Sequence, residues 1–191
     1  MTKIKIVKAN IEWVKDFYSI AKDIRMLLGD IAIRIDHIGS TSVPNLSAKD
    51  VIDIQISVYS IQDCTIVNKM IRAGYIYKSL TTHDNLMGLK NDSPELQKKY
   101  FREKLNHRKA HIHIRELGRI NQIYPLVFRD YLRNDDEARL AYETIKQELA
   151  LRFPYDSIAY YAIKDPIMDI IYKAAKLWSV KFQWQTDENF L

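Results

Sequence analysis

Between Ile52 and Val58 the chain alternates without a break: Ile52, Ile54, Ile56 and Val58 are apolar, and Asp53, Gln55 and Ser57 between them are polar. A period of two is that of a β-strand, so the branched residues share one face and the polar ones the other. The apolar face has to be buried against a core, and Asp53 and Gln55 then point together the opposite way. Just upstream, His37-Ile38-Gly39-Ser40-Thr41-Ser42-Val43-Pro44 reads as the end of one strand and a turn. Glycine lets backbone approach a ligand closely, exposed amides there can face an anion, and a serine hydroxyl can meet a phosphate oxygen. A phosphate-friendly turn is thus set one short connection from a carboxylate. Gln55, a neutral amide, stands where a second carboxylate would strengthen a metal site.

The rest of the chain supplies what such a strand needs. Ile11, Val14, Tyr18, Ala21, Ile24 and Leu28 recur at the spacing of one helical face, with Gly29 as the stop. Ile31, Ile33 and Ile35 alternate into the His37 turn as a strand, and Ser40–Ser42 can open a short helical turn before Pro44. A helix over Ile61–Ala73, built on Ile61, Thr65, Ile66, Met70 and Ala73, ends at Gly74. Strands follow at Tyr75–Leu80, Lys99–Arg102 and Ala110–Glu116, with residues 81–94 forming an exposed loop of the kind that rims a site and moves. After Gly118 the pattern is helical. One helix runs from Ile120 to Arg133, starting near Pro125, and the next is capped by Asp135 or Asp136 with Ala138, Leu140, Ala141, Ile145 and Leu149 inward. A last helical stretch spans Ser157 to Trp178, restarting at Asp165-Pro166, with Tyr160, Tyr161, Tyr172 and Trp178 in the core. A sheet-rich front and a helical back predict an α+β fold with a mixed sheet.

Two further groups carry chemistry. His111 and His113 are two apart on a predicted strand and face one side, with Arg115 continuing the row. Paired imidazoles can ligate a metal, exchange protons or, when charged, bind phosphate; the plainer alternative is a polar strand face. His37 could join them from its strand end. Lys98, Lys99, Arg102, Lys104, His107, Arg108 and Lys109 form the one concentrated basic stretch, interleaved with Tyr100 and Phe101. It suits a solvated strand edge, a polyphosphate or, less favoured, RNA.

The motifs themselves carry a likeness. His-Ile-Gly-Ser-Thr-Ser-Val-Pro, then Ala48-Lys49 and Ile52-Asp53-Ile54, resembles the signature of the GrpB family. His111-Ile112-His113-Ile114, Phe128-Arg129-Asp130-Tyr131-Leu132-Arg133, Tyr142 with Lys146, and Trp13 extend the resemblance over roughly residues 5–178. Asn45 stands where that family usually has Gly, and Asp50 where it usually has Pro. The resemblance implies a nucleotidyltransferase-like fold in residues 1–178 with a tail over 179–191. It also implies a cleft for a nucleotide, such as a triphosphate, or another phosphorylated small molecule. In that cleft Asp53, His111 and His113 would be catalytic, and Asp53 would hold Mg²⁺. Gly39, Ser40, Thr41, Lys49, Gln55, Arg102 and Arg129 would bind the ligand. The implied reaction is metal-assisted nucleotidyl transfer; the alternatives are an inactive nucleotide- or coenzyme-binding module and a transition-metal hydrolase. Arg129 can equally be structural, pairing with Asp130.

Composition sets looser bounds. The 191 residues, 47% of them apolar, suffice for one sizeable core. A single cysteine, Cys64, leaves no intramolecular disulfide framework and suits a reducing compartment. No leader or membrane-length apolar run is seen, so a soluble cytoplasmic protein is expected. The net charge of +5 comes from 29 basic against 24 acidic residues, a mixture that by itself does not define a nucleic-acid surface.

Overall fold

The computed structural model describes residues 3–186. It contains α1 (Glu12–Leu28), β1 (Arg34–Ile38), β2 (Ile52–Val58), α2 (Cys64–Arg72), β3 (Tyr75–Tyr77), β4 (Lys99–Lys104), β5 (Ala110–Glu116), α3 (Ile120–Asn134), α4 (Asp136–Arg152) and α5 (Ser157–Lys181). The strands form one sheet in the order β1-β2-β5-β4-β3. Only β2 and β5 run parallel; every other neighbouring pair is antiparallel. The fold is therefore α+β with a mixed sheet.

The alternation of β2 decides how the layers are stacked. Ile52, Ile54, Ile56 and Val58 are buried with Ile112 and Ile114 of β5 against Trp13, Phe17, Ala21, Ile24 and Leu28 of α1 and Ile66 and Met70 of α2. Each fully buried isoleucine contributes roughly 1.5–3 kcal/mol by leaving water. The opposite face is polar, and α3 closes over part of it. A second core, with Val43, Leu46, Val127, Phe128, Leu132, Tyr142, Tyr172 and Ala175, binds α3, α4 and α5 to the turn after β1.

Several local expectations change. The buried stripe of α1 is Trp13, Phe17, Ala21, Ile24 and Leu28, whereas Ile11, Val14 and Tyr18 are exposed. The shift brings Trp13 Nε1 2.7 Å from the Asp50 carboxylate, giving the buried indole a partner. Residues 29–31 form a short 3-10 turn, so β1 begins at Arg34. The Ser40–Ser42 turn is present, as is the left-handed Gly74 after α2, with φ of 92°. Asn45 has φ of 62°, a left-handed conformation that asparagine tolerates better than most side chains.

In the helical half, Pro125 and Pro166 both lie inside continuous helices. α3 starts five residues before its proline, and α5 does not restart at Asp165. The missing N–H of Pro166 leaves a gap opposite Ala162, next to residues that border an open cleft. α4 is capped by Asp135, whose carboxylate accepts from Ala138 N at 2.9 Å. Its buried face is Tyr142, Lys146, Leu149 and Ala150, while Leu140 is exposed. A lysine on the inward face misleads a reading by hydropathy. α5 runs on to Lys181, and Trp184 beyond it donates to Asp130 at 3.1 Å while Phe182 stays exposed. Residues 187–191 of the expected tail lie outside the described residues.

Candidate functional site

The parallel pairing of β2 and β5 places Asp53 opposite His111, Gln55 opposite His113 and Ser57 opposite Arg115. All six side chains leave the sheet on the polar face, but they do not share one environment. Asp53, His111 and His113 floor a cleft of about 500 Å³ between the sheet and the helices. Gln55 and Ser57 are fully buried beneath α3. Gln55 donates to the Gln122 carbonyl at 2.9 Å and accepts from Arg115 at 2.7 Å, and Gln122 donates to Ser57 at 3.2 Å. With both ends of its amide engaged, Gln55 is a support for Arg115 and not a wall of the cleft, contrary to expectation.

Asp53 Oδ1 lies 3.0 Å from His111 Nδ1. Burial raises the Asp53 pKa, but the hydrogen bond from His111, with the neighbouring imidazoles and Lys49, outweighs it, so the net direction is down. His113 is pushed well below its ordinary pKa, first by burial and then by Arg115 and Lys98, and stays neutral. Gly39, with φ of 68°, lies against Asp53: a Cβ there would come within 2.4 Å of Oδ2 and 2.9 Å of the Asp53 Cβ. Only glycine lets the turn press on the carboxylate and hold it in place. Ser40 and Thr41 border the cleft beside it.

His37 and the two expected arginines fall elsewhere. His37 pairs with Ile54 and projects to the apolar face, where it stacks on Phe17 with centroids 4.7 Å apart and meets Thr41 Oγ1 at 3.0 Å. Burial lowers its pKa to about 3. Arg129 is buried, bonded to Asp130 at 2.7 Å and to the His37 carbonyl at 3.0 Å; it ties α3 to β1 and is absent from the cleft wall. Arg102 turns to Glu103 at 3.0 Å and the Ala110 carbonyl at 3.1 Å, also outside the cleft. Of the rest of the basic stretch, Lys98 lines the cleft, whereas His107, Arg108 and Lys109 lie together away from it. Arg108 pairs with Asp16 at 2.6 Å and with Asp50, and Lys98 pairs with Asp84 at 2.6 Å.

Some cleft residues gave no clear signal in the sequence. Asp84, from the loop expected to be mobile, accepts from Lys98, from Arg115 at 2.8 and 3.0 Å, and from Asn121 at 3.1 Å. Burial opposes its charge, yet Arg115 and Lys98 hold its pKa well below the usual carboxylate range. The loop is therefore pinned to the sheet near its start. From the helices come Tyr142, Lys146, Tyr160, Tyr161 and Lys164. Lys49 bonds the Tyr161 hydroxyl and lies 5.2 Å from the Tyr160 ring centre, and Lys164 lies 5.3 Å from the Tyr161 ring. Lys146 Nζ donates to the Ser47 carbonyl at 2.6 Å. Its pKa is brought down to about 7, mainly by burial, partly offset by Glu143 and lowered further by Lys164 and Lys49. Tyr160 is fully buried, and its hydroxyl has no hydrogen-bond partner. Tyr160 and Tyr161 thus border the site, where the helical spacing had suggested only core.

A model of the GrpB protein family matches residues 3–174. The chain belongs to the GrpB family. The UPF0157 protein YqkA of Bacillus subtilis is 31% identical over 92% of this chain and 48% of its own length. A dephospho-CoA kinase of Mycolicibacterium paratuberculosis is 31% identical over 95% of this chain and again 48% of its own. The chain spans about half the length of these curated relatives. Among solved structures, GrpB from Enterococcus faecalis superposes with a TM-score of 0.74 at 30% identity, covering 91% of this chain and 99% of that one. The Cid1 poly(U) polymerase with MgGTP bound is similar at a TM-score of 0.50 and 15% identity, over 77% of this chain and 45% of that one. The second likeness is one of fold, and the sheet and its flanking helices are nucleotidyltransferase-like. No helix among the described residues is long and apolar enough to cross a membrane.

The Mg²⁺ that this fold suggests can be tested against the donor set. Magnesium prefers oxygen ligands in a near-octahedral shell, and two-metal transfer needs several carboxylates together. The converging donors on the floor are one carboxylate and two imidazoles, and Gln55 is locked away beneath α3. That donor set does not fit Mg²⁺.

Proposed function

We propose that this cleft binds a nucleotide or another phosphorylated small molecule, and that it does so without the magnesium-dependent transfer chemistry of polymerases sharing the fold. The observation that carries this reading is the meeting of Lys49, Lys146 and Lys164 beside the buried, unpartnered hydroxyl of Tyr160. Lys49, Lys146 and Lys164 place three amines around one cavity; Lys164 is paired with Asp165 at 3.0 Å, and Lys164 and Lys49 add to the burial that lowers the pKa of Lys146. A polyphosphate brings negative charge to Lys49 and Lys146, which have no carboxylate bonded to them among the described residues, and Tyr160 gains the acceptor it lacks. Ser40, at the facing turn, offers its hydroxyl to the same anion, whereas the Thr41 hydroxyl is taken by His37. Leu86, Tyr124, Pro125, Phe128 and Met168 provide an apolar wall for a base or another flat group.

The rival is nucleotidyl transfer centred on Asp53. Fold likeness alone supplies no activity, and a lone carboxylate does not assemble the usual cluster. The dephospho-CoA kinase name belongs to relatives about twice as long, but it puts ATP and dephospho-CoA first among ligands to try.

Thermal unfolding of the full chain with ATP, dephospho-CoA or inorganic triphosphate, each with EDTA or with Mg²⁺, tests the reading. A ligand at about 100 times its dissociation constant adds about 2.7 kcal/mol, or a rise of about 5–10 °C for a chain of this size. The expected rise persists in EDTA and is lost in Lys49→Ala/Lys164→Ala. No rise with any phosphorylated ligand would contradict the proposal. Release of pyrophosphate on adding an acceptor would favour transfer instead.

A further inference from the structure

We infer that Asp53, His111 and His113 form a mononuclear site for a borderline divalent transition metal such as Zn²⁺, Co²⁺ or Mn²⁺. The inference concerns the metal alone and holds whether or not the cleft takes a phosphorylated ligand.

The backbone builds the site. Parallel register sets Asp53 beside His111 across the β2–β5 ladder, and the two-residue period brings His113 out on the same face. One donor atom from each of the three side chains lies within 4.8 Å of the others. Around a tetrahedral ion with bonds of about 2.0–2.1 Å, donors are separated by about 3.3 Å, so the donors have to draw together by at most about 1.5 Å. Asp53 is held by the Gly39 backbone on one side and by His111 at 3.0 Å on the other.

The Asp53–His111 contact engages two of the three residues, and His113 adds a third donor on the same face. Two contacts compete with the metal: the Asp53 Oδ1–His111 Nδ1 hydrogen bond at 3.0 Å, and Arg115 Nη2, which approaches His113 Nδ1 at 3.4 Å. A neutral imidazole cannot keep that lone pair for Arg115 while its other nitrogen ligates. The loss is small, because Asp84 and Gln55 hold the guanidinium at 2.7–3.0 Å without it. Two nitrogens and one oxygen are ligands that zinc, cobalt and manganese accept and magnesium disfavours. Three protein ligands on the sheet leave the remaining coordination positions open to the cleft.

The test is a titration of EDTA-stripped, dialysed full chain with Zn²⁺, Co²⁺, Mn²⁺ or Mg²⁺ alone, by calorimetry, with the visible spectrum recorded for Co²⁺. The expected result is one equivalent of Zn²⁺ or Co²⁺ per chain, Co²⁺ bands of a nitrogen-ligated site, and no displacement by a hundredfold excess of Mg²⁺. His111→Asn and His113→Asn each weaken uptake at least tenfold, and the exposed-site control His107→Asn does not. Absence of stoichiometric uptake, displacement by Mg²⁺, or unchanged affinity in His113→Asn overturns the inference. If circular dichroism shows that the Asn variants do not fold, the spectrum of wild-type Co²⁺ protein decides: bands of an all-oxygen aquo ion overturn it.

Discussion

The two faces of the central sheet are built on opposite principles. Toward α1 and α2 the face is hydrocarbon apart from His37, and an apolar residue of the right size helps there; toward α3 and the cleft, each polar group depends on particular partners. Ile54 illustrates the first: it is buried with no polar contact to satisfy. Asp84 illustrates the second, since Lys98, Arg115 and Asn121 all converge on its carboxylate. An apolar face is robust in kind and sensitive to volume, whereas a polar face is sensitive to the loss of a single charge.

That contrast can be tested, beginning with the largest effect. Ile54→Ala should lower unfolding free energy by about 4 kcal/mol in urea denaturation, because it removes buried methylenes and leaves a cavity. A loss below about 1 kcal/mol would mean that the core closes over the gap. Asp84→Ala should cost about 3 kcal/mol by leaving Lys98 and Arg115 buried without their counter-charge, although it removes fewer apolar atoms. The companion substitution Asp84→Ala with Lys98→Met and Arg115→Met should recover much of that loss; no recovery would show that shape, and not charge, governs this face.

A smaller effect comes from pH. His37 is neutral within the apolar face, with its pKa lowered from the ordinary 6.5 to about 3. Between those values the unfolded chain binds a proton that the folded chain does not, so this contribution is complete above pH 6.5 and declines as pH falls toward 3. From pH 7 to pH 4.5 it amounts to about 2.5 kcal/mol. Chemical denaturation of wild type and His37→Gln at both pH values checks this, since the variant should lose less stability on acidification. An equal loss in the two proteins would assign the acid sensitivity to other groups.

The same contrast explains what could be read from the sequence. The β2 alternation, the Ser40–Ser42 turn, Gly74 and the full span of β5 follow from local rules, and all are present. So is the meeting of Asp53 with His111 and His113, because two strands of period two need only a register to bring those rows together. Gln55 lies beneath a helix more than sixty residues away in sequence, and nothing in Ile-Gln-Ile announces Gln122. Arg102 and Arg129 were drawn toward the ligand by motif position, while carboxylates next to them in sequence took their charge. Lys146 did leave a trace: with Tyr142, Leu149 and Ala150 it completes a helical stripe, but a charge in a stripe reads as a break until the Ser47 carbonyl is in view. Asp84 left none, since an acidic residue in a polar loop has no local signature of the two cations that bury it.

We propose that the polar side of the molecule is a phosphate-binding cleft whose cations come from the helices as well as the Lys49 segment. Calorimetric titration of ATP in EDTA into wild type, Lys164→Ala and Arg102→Ala tests it most directly. Saturable binding that Lys164→Ala weakens at least tenfold and Arg102→Ala leaves within twofold is the predicted result. Absence of binding to wild type, or equal weakening by both substitutions, would contradict the account.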